Sequence, residues 1–257
     1  MIRAAFFDID GTLVSFKTHV ISETSLRSLD RLKEAGIKVF ISSGRPVALM
    51  DNLQDYPFDG YVSMNGSLVQ IGGKTIFSHP MDKEESMTIA RILQDNAVPC
   101  VTYLENGVCM SRLDDTAIQV MATLAISPLP PVDLTEIAEG PVYQYTPIMS
   151  EELFQRILAP YMKKSVATRW HPAFLDIVPE GSSKAVGLDE AVRYLGIRKE
   201  ETIAFGDGGN DVSMLEYAGI GVAMGNSSDE VKSHADYVTS SVDEEGVTAA
   251  LEHFGLI

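Results

Sequence analysis

Four short segments carry residues whose types and spacing suit chemistry. Asp8-Ile9-Asp10-Gly11-Thr12 follows the apolar stretch that opens the chain. In extended backbone, residues 8 and 10 point to the same side, so both carboxylates can face one site. There they can share a cation, or divide into a nucleophile and a proton donor. Gly206-Asp207-Gly208-Gly209-Asn210-Asp211 adds two acids four positions apart. Its glycines let backbone come close to a ligand. Helix capping would account for one acid and not two. An all-oxygen ligand set suits Mg²⁺, which takes a few carboxylates and leaves room for water and phosphate. Ser43-Gly44-Arg45 offers a hydroxyl and backbone N–H groups at a helix start, a cradle for phosphate. An ordinary cap serine is the competing reading. Lys184 follows Gly181-Ser182-Ser183 in a first helical turn, where a cation opposes the helix dipole. A bound anion would account for it, and a solvated surface lysine is the plain alternative.

The elements around these segments are legible as periodic runs. Ile2 to Ile9 has strand length and Gly11 breaks it. Leu26, Leu29, Leu32 and Ala35 line one helix face, with Ser22 as cap and Gly36 as stop. Strands follow at Ile37 to Ser42 and Gly60 to Met64, the second ending at Asn65-Gly66. The C-terminal part repeats the style. A helix from Lys184 to Leu195 ends at Gly196. Strand Thr202 to Phe205, helix Val212 to Ala218, strands Ile220 to Met224 and Tyr237 to Thr239, and helix Gly246 to His253 complete it. Alternating strands and helices of this length predict an α/β, Rossmann-like core with a parallel sheet. In such a sheet the site lies beyond the carboxyl ends of the strands.

The middle reads differently. Nine of the twelve prolines lie between residues 81 and 179. Strand-like runs at Val98 to Tyr103, Val142 to Tyr145 and Phe174 to Val178 alternate with helical runs at Lys83 to Asn96 and Glu151 to Tyr161. The pattern predicts an inserted α+β domain at 83–182, splitting a core of 1–82 and 183–257. Arg169, Trp170 and His171 form a polar-aromatic cluster in it that would suit a sugar ring, although a single Trp is more often core.

Composition narrows the function classes. The chain has 257 residues, 45% hydrophobic and 22% charged, ordinary for a globular protein. With 36 acids against 20 Lys and Arg, the net charge is −16. That field repels polyanions, so broad nucleic-acid or anionic-membrane binding is not expected. No run is long and apolar enough to span a membrane, and the N-terminus matches no signal peptide. Cys100 and Cys109 match no zinc spacing and read as free thiols of a cytoplasmic protein.

Taken together and in order, the aspartate pair, Ser-Gly-Arg, the lysine and Gly-Asp-Gly-Gly-Asn-Asp resemble the four motifs of the haloacid dehalogenase (HAD) superfamily. Thirty-two positions separate Asp10 from Ser43, too few for a domain, while about 140 separate Ser43 from Lys184. With Ser-Gly-Arg-Pro and Met-Asn-Gly, the chain is similar to Cof-type phosphatases with a class IIB cap, above all their sugar-phosphate phosphatases. The resemblance implies the following roles. Asp8 is the nucleophile, forming an aspartyl-phosphate. Asp10 protonates the leaving alcohol and then activates water. Asp8, the Asp10 backbone carbonyl and Asp207 hold Mg²⁺, with Asp211 supporting the metal's water shell. Ser43, Gly44, Lys184 and Asn210 grip the phosphoryl group. The family often has Thr where Ser43 stands; the hydroxyl is kept. Arg45 and Asn65, at strand ends, are candidates for substrate contact, and the cap sets specificity. The implied activity is Mg²⁺-dependent hydrolysis of small phosphorylated metabolites, sugar phosphates first. A phosphosugar mutase and a non-catalytic phosphosugar-binding protein are the alternatives.

Overall fold

The computed structural model describes residues 1–123 and 126–257, the side chain of Trp170 apart. In chain order the elements are β1 (Ala4–Phe7), α1 (Glu23–Glu34), β2 (Lys38–Ser42), β3 (Gly60–Ser63), β4 (Leu68–Ile71), β5 (Lys74–Ser78), α2 (Lys83–Asp95), β6 (Cys100–Leu104), β7 (Gly107–Met110), α3 (Asp115–Thr123), α4 (Leu134–Ile137), β8 (Gln144–Pro147), α5 (Glu151–Ile157), β9 (Ser165–His171), β10 (Phe174–Pro179), α6 (Lys184–Leu195), β11 (Thr202–Gly206), α7 (Val212–Tyr217), β12 (Ile220–Ala223), α8 (Asp229–Lys232), β13 (Tyr237–Val238) and α9 (Gly246–His253). The described chain divides into two compact units. One is Met1–Arg45 with Met50–Ser78 and Ser183–Ile257; the other is Pro46–Leu49 with His79–Ser182. No helix of the described residues is long and apolar enough to cross a membrane.

The first unit is an α/β layer built on a sheet of order β13-β12-β11-β1-β2-β3-β4-β5. The strands from β13 to β3 are parallel, whereas β4 and β5 pair antiparallel at the edge. The sequence reading passed over that hairpin, which turns at Gly72-Gly73, both at positive φ. β1 is the central strand, and all four of its residues are buried, as a strand covered on both faces requires. Phe6 stacks on Phe40 at 4.9 Å and Phe7 on Phe205 at 4.8 Å. Consecutive residues thus pack opposite faces of the sheet. α1 starts where Ser22 accepts a hydrogen bond from the Ser25 amide at 3.0 Å, and it buries Leu29 and Leu32.

β1 is shorter than the expected Ile2 to Ile9. The Asp8 amide makes a last bond to the Phe205 carbonyl at 3.0 Å. The Ile9 carbonyl then collects the amides of Thr12, Leu13 and Val14, closing a tight turn. A turn with Gly11 at φ +84°, and not strand alternation, therefore aims the Asp10 side chain.

The second unit is an antiparallel sheet of order β7-β6-β8-β10-β9. One face packs on helices. Cys100, Tyr145, Leu175 and Ile177 share a core with Ile89, Ala90 and Leu93 of α2 and Phe154 of α5. The expected helix to Tyr161 ends at Ile157, and a 3₁₀ turn at Ala159–Tyr161 follows because Pro160 has no amide to donate. β7, β9, α3 and α4 were not foreseen. Cys100 and Cys109 are free. Burial pushes the Cys109 thiol up to about 11, so it is a poor nucleophile at neutral pH.

Gly66 and Gly187 fix how α6 meets the sheet. Gly66 has φ +89°, and a Cβ there would overlap the Ser183 carbonyl; a Cβ on Gly187 would overlap the Val62 side chain. Close backbone approach here seats the first turn of α6 against the β3 end. Gly66→Ala is predicted to cost at least about 2 kcal/mol, from left-handed strain plus overlap. Urea unfolding midpoints measure this, and a loss below about 0.5 kcal/mol would contradict the packing argument.

Candidate active site

The C-terminal ends of β1, β2, β3 and β11 bring the sequence-predicted residues together. Lys184, the first residue of α6, is fully buried. This rules out a solvated surface lysine. Its three ammonium protons meet three acceptors: Asp8 Oδ1 at 2.6 Å, Asp211 Oδ1 at 2.5 Å and the Ser42 carbonyl at 2.8 Å. An ammonium has three donors, so all of them are used.

Asp211 is also buried, and its second oxygen accepts the amides of Asp207 at 2.9 Å and Gly208 at 2.8 Å. One carboxylate thus folds its own loop and holds the lysine. Asp207 Oδ1 accepts from the Thr12 hydroxyl at 2.9 Å and Oδ2 from the Asn226 amide at 3.3 Å. Asn226 also binds the Gly11 carbonyl at 2.9 Å. A Cβ on Gly11 would overlap the Asp207 carboxylate, so glycine is required there for space as well as for its φ. Sequence reasoning quoted Thr12 without a role and missed Asn226. Asn226 sits just past β12, the neighbour of β11, and that adjacency was the available signal.

One oxygen each from Asp8, Asp207 and Asp211 lies within 4.8 Å of the others. Burial first, then the charge of Asp211, raises Asp8 to about 8, against the pull of Lys184. Burial raises Asp207 to about 6, against its bond from Thr12. Burial works against the charge on Lys184, but Asp211 and Asp8 together outweigh it and hold its pKa above the ordinary value. Three carboxylates and one ammonium, all charged, sum to −2. An oxygen-only set with that charge fits a divalent hard cation.

The Asp10 side chain stands apart from this acid group. Both of its oxygens lie 2.8 Å from one guanidinium nitrogen of Arg45. Arg45, a candidate for substrate contact, is paired with Asp10 and orients it. Ser43 is buried, its hydroxyl accepting from the Arg45 amide at 3.2 Å. A Cβ on Gly44 would come within 3.2 Å of the Asn65 side-chain amide. The Asn65 amide N–H donates to the Ser43 carbonyl at 3.1 Å, and Asn210 donates to the Asn65 side chain at 3.1 Å. Asn65 therefore couples the Ser43 and Asn210 loops. Arg169, of the polar-aromatic cluster, is engaged within its own unit. It pairs with Glu151 at 2.9 Å and donates to the carbonyls of Met149, Pro172 and Phe174. His171 stacks on Phe174 at 4.7 Å. The Trp170 side chain lies outside the described residues.

The family model of haloacid dehalogenase-like hydrolases matches residues 5–251. YkrA of Bacillus subtilis strain 168, named for an expected phosphatase activity, is 30% identical over 256 residues, covering 99% of this chain and 98% of its own. YitU of the same strain, a 5-amino-6-(5-phospho-D-ribitylamino)uracil phosphatase, is 31% identical over 270 residues, covering 97% and 96%. Among solved structures, the HAD subclass IIB sugar phosphatase BT4131 is 39% identical, with a TM-score of 0.86 over 99% of this chain and 100% of its own. Their similarity over whole chains and the match of the family model agree with the order of residues at the strand ends: the chain belongs to the haloacid dehalogenase-like hydrolases.

Proposed function

We propose that the chain is a Mg²⁺-dependent phosphatase of small phosphorylated metabolites, sugar phosphates first, working through an aspartyl-phosphate in the cytoplasm. The first unit would be its catalytic core and the second its specificity cap. The observation that carries the reading is the buried Lys184 placed 2.6 Å from Asp8, beside two further carboxylates. A carboxylate attacks an anionic phosphoryl group only where positive charge offsets their repulsion.

In the first half-reaction an Asp8 oxygen bonds to phosphorus and the bond to the ester oxygen breaks. Asp10 gives that oxygen its proton, and the alcohol leaves. In the second, Asp10 takes a proton from water as the water oxygen attacks phosphorus. The acyl-phosphate bond breaks, phosphate leaves and Asp8 is restored. Ser43, the Gly44 amide and Asn210 would hold the phosphoryl oxygens. Lys184 would join them by exchanging one of its three partners. Asp8, the Asp10 carbonyl and Asp207 would hold Mg²⁺, with Asp211 supporting its water shell; the ion would supply positive charge for the phosphoryl oxygens. Arg45 keeps the Asp10 carboxylate aimed from the strand end.

Asp8→Asn keeps the shape and removes the nucleophile. It is predicted to lower kcat on p-nitrophenyl phosphate by a factor on the order of 10³ or more, with far-ultraviolet circular dichroism unchanged. Retained turnover would sink the mechanism.

Metal binding is predicted to depend on pH in a defined direction. Asp8 and Asp207 are raised in the fold to about 8 and about 6, from 3.8 for an ordinary aspartate. Their contribution to stability is therefore fully present below pH 3.8, and is lost as pH rises through 6 and then 8. A divalent cation competes with those protons. The rise in Tm on adding Mg²⁺ should grow steadily between pH 5 and pH 8 (roughly the span of these titrations). A Tm shift independent of pH, or absent, would contradict metal binding by these carboxylates.

A further inference from the structure

Asn226 stands on the turn between β12 and α8 and is exposed, yet both ends of its side-chain amide are engaged. Nδ2 donates to the Gly11 carbonyl at 2.9 Å and to Asp207 Oδ2 at 3.3 Å, and Oδ1 accepts the Val242 amide at 2.9 Å. The Val242 amide only donates and the Gly11 carbonyl only accepts, so the side-chain amide can sit only this way round. The backbone brings these partners together. The Gly225 amide donates to the Ser240 carbonyl at 3.0 Å, and a Cβ on Gly225 would overlap the backbone of Ser240 and Ser241. The segment beyond is anchored in turn. Asp243 accepts from the Ser15 hydroxyl at 2.6 Å and Glu245 from the Ser22 hydroxyl at 2.7 Å. All of these residues belong to the first unit.

Each oxygen of Asp207 takes one side-chain hydrogen bond, Oδ1 from Thr12 at 2.9 Å and Oδ2 from Asn226. The carboxylate is therefore turned by its neighbours before any cation arrives. One bond to each oxygen leaves acceptor capacity on both. Asn226 suits the task because it donates without carrying charge. A lysine or arginine in its place would cancel part of the excess negative charge that favours a divalent cation. Gly11 is held at both ends, its amide on the Val14 carbonyl at 2.8 Å and its carbonyl on Asn226. The peptide unit is planar, so fixing the Gly11 amide also fixes the direction of the Asp10 carbonyl. Asn226 thus ties the turn that presents one proposed ligand to the side chain that presents another.

We infer that Asn226 is a positioning residue of the cation site, holding Asp207 and the Gly11 turn in the geometry that binds Mg²⁺. It acts through hydrogen bonds to these groups and touches no reacting atom. The inference rests on the reading of Asp8, the Asp10 carbonyl and Asp207 as the cation's ligands.

Calorimetric titration of the metal-free full chain with Mg²⁺ tests this. Asn226→Ala is expected to weaken Mg²⁺ binding roughly 10- to 100-fold, the usual effect of removing a partner that orients a metal ligand. Because Asn226 is exposed, Tm without metal should change by less than about 2 °C. Activity lost at low Mg²⁺ should return in excess Mg²⁺, with KM for p-nitrophenyl phosphate unchanged. Val242→Pro is the companion variant. It removes the amide that Asn226 accepts and keeps both Asn226 donors, and the first position of the 3₁₀ turn Val242–Glu244 suits proline. It is expected to weaken Mg²⁺ binding less than Asn226→Ala does. An unchanged Mg²⁺ affinity in Asn226→Ala would overturn the inference. Equal losses in the two variants would also overturn it, since Asn226 would then act only by supporting the 241–246 segment. If the wild-type protein bound no Mg²⁺, the cation reading would fall and this inference with it. Mg²⁺ binding that depends on Asn226, without turnover of any ester, would overturn the phosphatase reading alone.

Discussion

Lys184 carries a positive charge into a place with no exposed surface, and it is stable there because each of its three protons has an acceptor. Removing a charge of this kind from water costs several kcal/mol, and only close, well-aligned partners offset it. Asp8, Asp211 and the Ser42 carbonyl come from three separate elements, so the lysine also fixes how β1, β2 and the loop after β11 meet. Burial first, and then the neighbouring Asp211 charge, raises Asp8 and Asp207 and gives the site its affinity for protons. The excess of carboxylate over ammonium in the same cluster suits a divalent cation. One cluster thus governs local structure, protonation and the chemistry proposed for it.

The supporting architecture follows from that constraint. β1 is apolar on both faces because it lies at the middle of the sheet, and its end is where the chain can turn a carboxylate outward. The sharp turn at Gly11 and the contact of Gly66 with Ser183 bring backbone close enough that a single Cβ would disrupt either. Space at the strand ends is reserved for carboxylates and for the first turn of α6.

Much of this was legible in the sequence because the informative residues are local. Asp8 with Asp10, and Asp207 with Asp211, announce themselves by spacing next to apolar strands. The parallel order followed from alternation of element types. What was hidden depends on pairing across the chain. Asn226 reaches Asp207 only because β12 lies beside β11. The burial of Lys184 needs two acids at 27 and 176 positions' remove. The β4–β5 hairpin was missed because its strands are short and half polar at the sheet edge. Arg169 stood in a cluster that would suit a sugar ring; that its guanidinium also donates to backbone carbonyls is something composition does not reveal. The net charge of −16 gains a narrower meaning. Few of the 36 acids stand at the site, and the buried ammonium with a divalent cation would offset their field there.

The central claim is that Asp8 itself takes the phosphoryl group. Rapid acid quench of the enzyme in its first turnover, followed by peptide mass spectrometry, tests this most directly. The account predicts a phosphoryl adduct on the peptide holding Asp8, formed and lost at rates that match turnover. Phosphate released in the first turnover with no covalent adduct at any time point would contradict it.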